Sequence, residues 1–189
     1  MDIQRENSWV TMEKKEMRDW KNENILLTGF CGTSSEMLVQ KADDQPVILP
    51  NDKIRDSQIV LEELKRGSYD YLISFGQKPN SKDKIYIETT AREAGHYCNI
   101  NFDVLKLRQA LEKEHITVRI SNNAGCSFCN TLYWNVLNYI IQYKLGVKMI
   151  FLHIPFYKNI SDPGDFFERI LATIDGCTGS AVGDAPPAG

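Results

Sequence analysis

The sequence predicts a single-domain α/β protein, a three-layer α/β/α sandwich around a mostly parallel, twisted sheet. Unbroken apolar runs such as 24–30 and 69–76 are typical of strands that are buried on both faces. Segments with helical spacing alternate with these runs, which is the order expected of a parallel sheet wrapped by helices. A chain of 189 residues, 42% of them hydrophobic, is long enough for one substantial core.

Each predicted element has its own signal. Most strands are continuous apolar runs, whereas 84–88 alternates apolar and polar residues and should have one wetter face. The predicted strands lie at 24–30, 45–50, 69–76, 84–88, 116–120 and 148–153. The predicted helices lie at 56–66, 103–114, 132–143 and 162–174. Cys129 lies in the turn that leads into the third of these helices. Gly67 ends the first helix, and Ser161-Asp-Pro-Gly is a start signal for the last.

Two terminal segments differ from the domain predicted at 24–174. Residues 1–23 are highly charged with a few scattered apolar residues, and they predict an extension that forms a short amphipathic helix. Residues 175–189 hold little that a core would bury. They predict a disordered tail in which Cys177 has no role.

Composition and charge argue against several classes of function. A net charge of −3, without a basic stripe, gives no reason to expect nucleic acid as a partner. No apolar run approaches the length of a membrane span, and the first residues lack the order of a signal peptide. Five cysteines, an odd number, predict reduced thiols and a cytoplasmic protein.

The segment 121–134 carries the strongest functional signal. Small and polar residues at 121–125 predict a tight turn between a strand and a helix, with Cys129 in the first turn of that helix. Free N–H groups and the positive end of the helix dipole favour a thiolate there. We therefore predict that Cys129 is a nucleophile with a lowered pKa, and that the same N–H groups can hold an oxyanion.

His153 is the predicted partner of Cys129. It ends the last strand, 24 residues after Cys129, and a strand–helix–strand unit of that length returns the chain beside its first strand. In open α/β sheets, ligands bind beyond the carboxyl ends of the strands. His115 lies at the opposite rim and is predicted to be structural or exposed, while His96 is placed on a loop.

A Cys–His pair generally needs a third group that orients the imidazole. Glu88 ends the alternating strand and is the best placed carboxylate, and Glu93 and Asp103 are weaker candidates. The spacing of Cys126 and Cys129 also fits a C-x-x-C redox pair. No second C-x-x-C or H-x-x-x-H accompanies it, so the spacing does not predict a zinc site.

These residues resemble the pyroglutamyl peptidase I family, cysteine peptidases that remove an N-terminal pyroglutamate. The resemblance covers about 24–174 and rests on four blocks in the order of the family. They are Ile25-Leu-Leu-Thr-Gly-Phe30, Tyr71-Leu-Ile-Ser-Phe-Gly76 with Ile85-Tyr-Ile-Glu88, Ser121-Asn-Asn-Ala-Gly-Cys-Ser-Phe-Cys129-Asn-Thr-Leu-Tyr133, and Phe151-Leu-His-Ile-Pro155. The third block is the most specific, since it is similar to the nucleophile motif Ser-x-Asp-Ala-Gly-x-Tyr-x-Cys-Asn.

The resemblance implies a peptidase that releases a pyroglutamyl or related small cyclic or acyl residue through a thioester. Cys129 would be the nucleophile, His153 the acid and base, and Glu88 the orienting carboxylate. The residues it implies around the substrate are Phe30, Gln77, Asn123 and Phe128. It further implies a peptide substrate with a blocked N-terminus, no metal or organic cofactor, a cytoplasmic setting and a homo-oligomer, either dimer or tetramer.

The chain also departs from the pattern of the family. Cys31-Gly-Thr-Ser-Ser-Glu36 stands where the family has a Pro-Phe-Gly-Gly type loop, so a second aromatic is missing, and Gln77-Lys-Pro79 replaces a Gly-Gly-Arg turn. Asn123 replaces the Asp of the nucleophile motif and Ser127 its Tyr. The short segment 89–120 predicts that a hairpin that helps cover the substrate is absent. These departures keep open a binding protein that retained the fold with altered specificity or without catalysis.

Overall fold

Strands and helices alternate along the residues that the computed structural model describes, 24–43 and 45–178. The strands in this part are β1 (Ile25–Phe30), β2 (Val47–Leu49), β3 (Tyr71–Lys78), β4 (Lys84–Glu88), β5 (Thr90–Glu93), β6 (His96–Asn99), β7 (Thr117–Ser121) and β8 (Lys148–Pro155). The helices are α1 (Ser34–Ala42), α2 (Arg55–Arg66), α3 (Val104–Lys113), α4 (Phe128–Gln142) and α5 (Pro163–Thr178), with a 3₁₀ turn at Tyr157–Asn159. None of these helices combines the length and apolar character that crossing a bilayer requires.

Six of the strands form one sheet in the order β2-β1-β3-β8-β4-β7. All neighbouring pairs are parallel except β4 and β8, which run antiparallel. The mostly parallel sheet predicted from the sequence is therefore confirmed. One expectation is wrong: β8 does not return beside β7, because β4 lies between them and α4 has to carry the chain across it.

Two apolar clusters fill the space between the sheet and the helices. Side chains of α1, α3 and α5 pack on one face of the sheet, and side chains of α2 and α4 pack on the other. Leu38 and Ile170 are representative of the first cluster and Val136 of the second, each with no exposed surface. Helices on both faces complete the predicted three-layer α/β/α sandwich.

One helix and one hairpin escaped prediction because their apolar signal is weak. Helix α1 begins directly after Thr33, whose side-chain oxygen accepts a hydrogen bond from the backbone N–H of Ser35 at 3.1 Å. Strands β5 and β6 form a hairpin in which Ala91 and Cys98 alone are buried. The segment 89–120 therefore contains a hairpin that the sequence did not predict.

The last helix is longer than the 162–174 predicted for it. Helix α5 continues to Thr178, and Cys177 is 3% exposed within the apolar cluster of its face. Ile170, Ile174 and Cys177 recur at helical spacing, which places the thiol on the buried stripe. The predictions for residues 1–23 and for the rest of the tail lie outside the described residues.

Candidate active site

A tight turn at 121–125 delivers the chain from β7 to α4. The backbone N–H of Asn123 donates to Ser121 Oγ at 3.2 Å, and the Asn123 side-chain Oδ1 accepts from the N–H of Gly125 at 3.1 Å. Gly125 has φ +91°, a left-handed conformation that glycine adopts without the strain of a side chain. Helix α4 then begins at Phe128, so Cys129 lies in its first turn, as predicted.

His153 and Glu88 form a buried hydrogen-bonded pair. The Nδ1 atom of His153 lies 2.8 Å from Glu88 Oε1, and the two residues are 3% and 0% exposed. Tyr86 of β4 lies directly opposite His153 of β8 in an antiparallel pair. Glu88 therefore reaches the imidazole diagonally, two residues further along β4. With Nδ1 held by the carboxylate, Nε2 is left to face the rest of the site.

Cys129 and His153 meet over a glycine of the central strand. Gly76 of β3 is the register partner of His153 in β8. A Cβ atom on Gly76 would lie 2.8 Å from Cys129 Sγ, 2.8 Å from His153 Cδ2 and 2.9 Å from His153 Nε2. The sulfur and the imidazole edge thus face each other across the space that the missing side chain leaves open. A cysteine, a histidine and a carboxylate in this order have the arrangement of a thiol nucleophile with an oriented base.

The environment of the thiol differs from the prediction. Cys129 as a residue keeps partial exposure, but burial of its sulfur raises the pKa of the thiol to about 12. Hydrogen bonds from the backbone N–H groups of Gln77 and of Cys129 itself oppose this rise, and the charges of Glu88 and Asp56 add to it. The predicted lowering of the Cys129 pKa is therefore wrong for the resting protein. The helix N-terminus is present, but loss of water around the sulfur outweighs it.

Glu88 has the opposite balance. Burial raises the pKa of its carboxyl, but hydrogen bonds from His153, Lys78 and Ser121 together outweigh burial and hold the pKa below its ordinary value. The carboxylate is therefore ionised at neutral pH, as an orienting group must be if it accepts a hydrogen bond from Nδ1. Lys78 and Gly76 were not predicted as members of the site. Their only sequence signals are their positions at the end of an apolar strand.

The four residues predicted around the substrate have different surroundings. Phe30 is 2% exposed in the apolar cluster against which Cys129 packs. The Gln77 side chain donates to Ser34 Oγ at 3.2 Å, so its backbone N–H is the part that faces the thiol. Asn123 is exposed and shapes the turn, and Phe128 is 37% exposed at the start of α4.

A cavity of about 590 Å³ lies beside the first turn of α4. Arg92 and His96 of the hairpin line one side of it, and Lys53 and Asn130 lie among its other walls. The Asn130 side chain joins α4 to the hairpin, because it accepts from the Arg92 N–H at 3.1 Å and donates to the Arg92 carbonyl at 2.8 Å. The hairpin missed from the sequence thus lines a cavity beside the first turn of α4.

The remaining candidates lie away from the pair. Asp103 caps α3, accepting from the backbone N–H groups of Leu105 and Lys106. Glu93 is exposed at the end of β5, and His115 is exposed, as predicted. Cys126 is exposed, and both it and Cys129 are free thiols without a disulfide.

Comparisons with known proteins point to pyroglutamyl peptidases. The family profile described as pyroglutamyl peptidase matches residues 78–164, a span that holds Glu88, Cys129 and His153. Pyrrolidone-carboxylate peptidase 1 of Caldanaerobacter subterraneus is 40% identical over 53 residues, 28% of this chain and 26% of that protein. A pyrrolidone-carboxylate peptidase of Thermosipho melanesiensis is 30% identical over 127 residues, 66% of this chain and 59% of that protein. The chain thus matches about a quarter of the length of several curated relatives.

Solved structures show that the fold is shared. The pyrrolidone carboxyl peptidase of Thermococcus litoralis superposes with a TM-score of 0.70 at 16% identity, covering 81% of this chain and 92% of that one. Pyroglutamyl peptidase I of Bacillus amyloliquefaciens gives a TM-score of 0.70 at 18% identity, covering 82% and 94%. The profile match, the sequence relatives and the common fold together support membership of the pyroglutamyl peptidase family.

Proposed function

We propose that this protein is a cysteine exopeptidase that removes an N-terminal pyroglutamyl, or a related small cyclic or acyl residue, from peptides. The observation that carries the proposal is the convergence of Cys129 Sγ and His153 Nε2 over Gly76, with Nδ1 held by Glu88 at 2.8 Å. The family supports the choice of substrate. The raised thiol pKa indicates that the nucleophile is generated during attack rather than stored as a thiolate.

The first half of the reaction forms a thioester. Nε2 of His153 accepts the thiol proton as Cys129 Sγ attacks the pyroglutamyl carbonyl carbon. The carbonyl oxygen becomes an oxyanion, and the N–H groups of Gln77 and Cys129, which converge near the sulfur, are placed to donate to it. His153 then gives its proton to the departing amine, the C–N bond breaks, and the peptide leaves.

The second half restores the thiol. Water gives a proton to Nε2 of His153 and attacks the thioester carbonyl. The C–S bond breaks, the sulfur recovers its proton from His153, and the free pyroglutamate leaves. Glu88 keeps Nδ1 occupied throughout, so that Nε2 exchanges every proton. None of these steps calls for a metal or an organic cofactor.

The bound substrate would extend past Cys129, with its pyroglutamyl ring on one side of the thiol and its departing peptide on the other. We place the lactam ring above Phe30 and beside the backbone of Gln77, with Asn123 and Phe128 at the rim. The departing peptide would occupy the cavity that the hairpin lines. A cytoplasmic setting and a homo-oligomer, dimer or tetramer, are parts of the same proposal, and light scattering of the purified protein measures the second.

The test is hydrolysis of a fluorogenic L-pyroglutamyl amide by the wild type, Cys129→Ala and Cys126→Ala. We expect turnover in the wild type and Cys126→Ala, and none in Cys129→Ala. An L-prolyl amide, which lacks the lactam carbonyl, should not be hydrolysed. Loss of turnover in Cys126→Ala as well would favour a thiol redox pair.

A second candidate is a binding protein without catalysis. It is favoured by one observation: α1 begins at Ser34, four residues after Phe30, so a tight turn stands where the family loop has its second aromatic. Absence of turnover in the wild type, with pyroglutamyl peptide binding retained in calorimetry, would establish this candidate in place of the peptidase.

A further inference from the structure

Lys78, the last residue of β3, reaches across β8 to the carboxylate of Glu88. Its Nζ atom lies 2.8 Å from Glu88 Oε1, 3.3 Å from Ser121 Oγ and 3.3 Å from the backbone oxygen of Asn123. An ammonium group has three N–H donors, and each has an acceptor here. The same nitrogen lies 4.4 Å from the ring centre of Tyr86, and this packing further restricts its position.

These contacts join three strands of the sheet and the turn before α4. Lys78 belongs to β3, Glu88 to β4 and Ser121 to β7, while Asn123 belongs to the turn that leads to Cys129. The ammonium thus joins the carboxylate of the site to the turn that sets the position of the nucleophile. The Lys78 side chain is 26% exposed and that of Glu88 is 0% exposed, so the ion pair is shielded from water on the Glu88 side.

Glu88 Oε1 receives two donors at the same distance. His153 Nδ1 and Lys78 Nζ both lie 2.8 Å from it. Two donors on one oxygen restrict rotation of the carboxylate, and the permanent charge of the lysine compensates the cost of burying an anion. A histidine that shuttles protons through Nε2 cannot supply that charge throughout the reaction, because it is neutral in part of the cycle.

We propose that Lys78 is a positioning residue of this peptidase, which holds Glu88 as an ionised carboxylate with Oε1 directed at His153 Nδ1. Lys78 acts through Glu88, to which its ammonium donates at 2.8 Å. The proposal rests on the proposed peptidase function for its catalytic consequence, but its effect on Glu88 is a property of the free protein.

Several titratable groups face this carboxylate. They are Lys78 from β3, His153 from β8, and Cys129 and Tyr133 from α4, whose hydroxyl donates to the Glu88 backbone oxygen at 2.9 Å. Burial raises the pKa of both the Cys129 and the Tyr133 groups, so neither is charged near neutral pH. Lys78 is therefore the basic partner of Glu88 that takes no part in the proton transfers of His153.

The experiment compares Lys78→Met, Lys78→Gln, Lys78→Arg and the wild type, with Lys84→Met as the matched control. Lys84 begins the strand that ends at Glu88, so its substitution removes the same charge from a nearby position outside the cluster. The first readout is the pH titration of the Glu88 carboxyl by ¹³C NMR, assigned by the signal missing from Glu88→Gln. The second is the pH profile of pyroglutamyl amide hydrolysis, with kcat and KM separated.

In Lys78→Met and Lys78→Gln we expect the titration midpoint of the Glu88 carboxyl to rise by about one pH unit or more. An adjacent opposite charge typically lowers the pKa of a carboxyl by about one to three units, and these variants remove it. The kcat value should fall about tenfold or more, the acid limb of the pH profile should move to higher pH, and KM should stay nearly constant. Lys78→Arg should keep the wild-type midpoint, and Lys84→Met should leave both readouts unchanged.

An unchanged Glu88 midpoint in both neutral variants would overturn the proposal, and so would an equal shift in Lys84→Met. A lower melting temperature with unchanged titration and kcat would assign Lys78 a purely structural role and also overturn it. The NMR titration needs no substrate. A wild type without turnover would therefore count against the peptidase function while leaving the titration as the test of Lys78.

Discussion

Substitution of Gly76 by alanine tests whether the space between the thiol and the imidazole is as small as the structure indicates. The added Cβ would lie 2.8 Å from Cys129 Sγ and 2.8 Å from His153 Cδ2. Comfortable contacts between such atoms lie at about 3.5–4.0 Å, so the sulfur and the ring would have to separate by about 1 Å. His153 cannot retreat freely, because its Nδ1 is held by Glu88.

The expected effect is large on activity and moderate on stability. A displacement of about 1 Å in a catalytic group is typically worth about a hundredfold in rate. Overpacking of this kind costs about 1–3 kcal/mol of folding free energy. For a chain of this size each kcal/mol lowers the melting temperature by about 2–4 °C, so Gly76→Ala should remain folded at room temperature.

The assay is kcat/KM on the fluorogenic pyroglutamyl amide, together with the melting temperature by circular dichroism. Gly146→Ala is the matched control, because a Cβ there meets nothing within 4 Å. It should keep full activity and an equal or slightly higher melting temperature, since alanine restricts the unfolded chain. A Gly76→Ala protein with kcat/KM within threefold of the wild type would refute the arrangement of Cys129 and His153 over this glycine.

Three further predictions follow from the surroundings of the site. In the free protein at pH 7, iodoacetamide should modify Cys129 more slowly than the exposed Cys126, because burial raises the pKa of the Cys129 thiol to about 12. Peptide mass spectrometry measures both rates, and faster modification of Cys129 would contradict the prediction. Glu88 has a depressed pKa in the folded state, so its carboxylate stabilises the fold above the ordinary value of 4.5, and this contribution is lost as the pH falls through the folded pKa. Glu88→Gln should therefore lower the free energy of unfolding by about 3–5 kcal/mol at pH 7, and by progressively less below pH 4.5. Urea unfolding measures this difference, and an equal loss at pH 7 and below pH 4.5 would argue against the His153–Glu88 pair. Asn130→Ala should lower the free energy of unfolding by about 1–3 kcal/mol, because the Asn130 side chain makes two hydrogen bonds to the Arg92 backbone. Hydrogen exchange at the Arg92 amide should become faster in this variant.

The features that the sequence predicted are those with local causes. The turn at 121–125 and the helix start at Cys129 depend on neighbouring residues, and apolar runs such as 69–76 depend on burial of both faces. Strand β4 was predicted with the same bounds, 84–88, that the structure has. The hairpin was missed because only one residue of each of its strands is buried. Helix α1 was missed because its buried face includes Ser34 and Ser35, which give no apolar signal.

By itself the sequence determined the fold class, the family resemblance and the three residues that converge, Cys129, His153 and Glu88. Tertiary structure alone decided how they meet. Insertion of β4 between β8 and β7 brings Glu88 to Nδ1, and the β3–β8 register sets Gly76 under the thiol. It also decided the ionisation of the site, since the pKa of Cys129 and the ion pair of Lys78 depend on burial and on charges from other strands. The spacing of residues along the chain predicts neither the strand order nor the ionisation of the site, because strand order and local dielectric arise only when distant segments pack together.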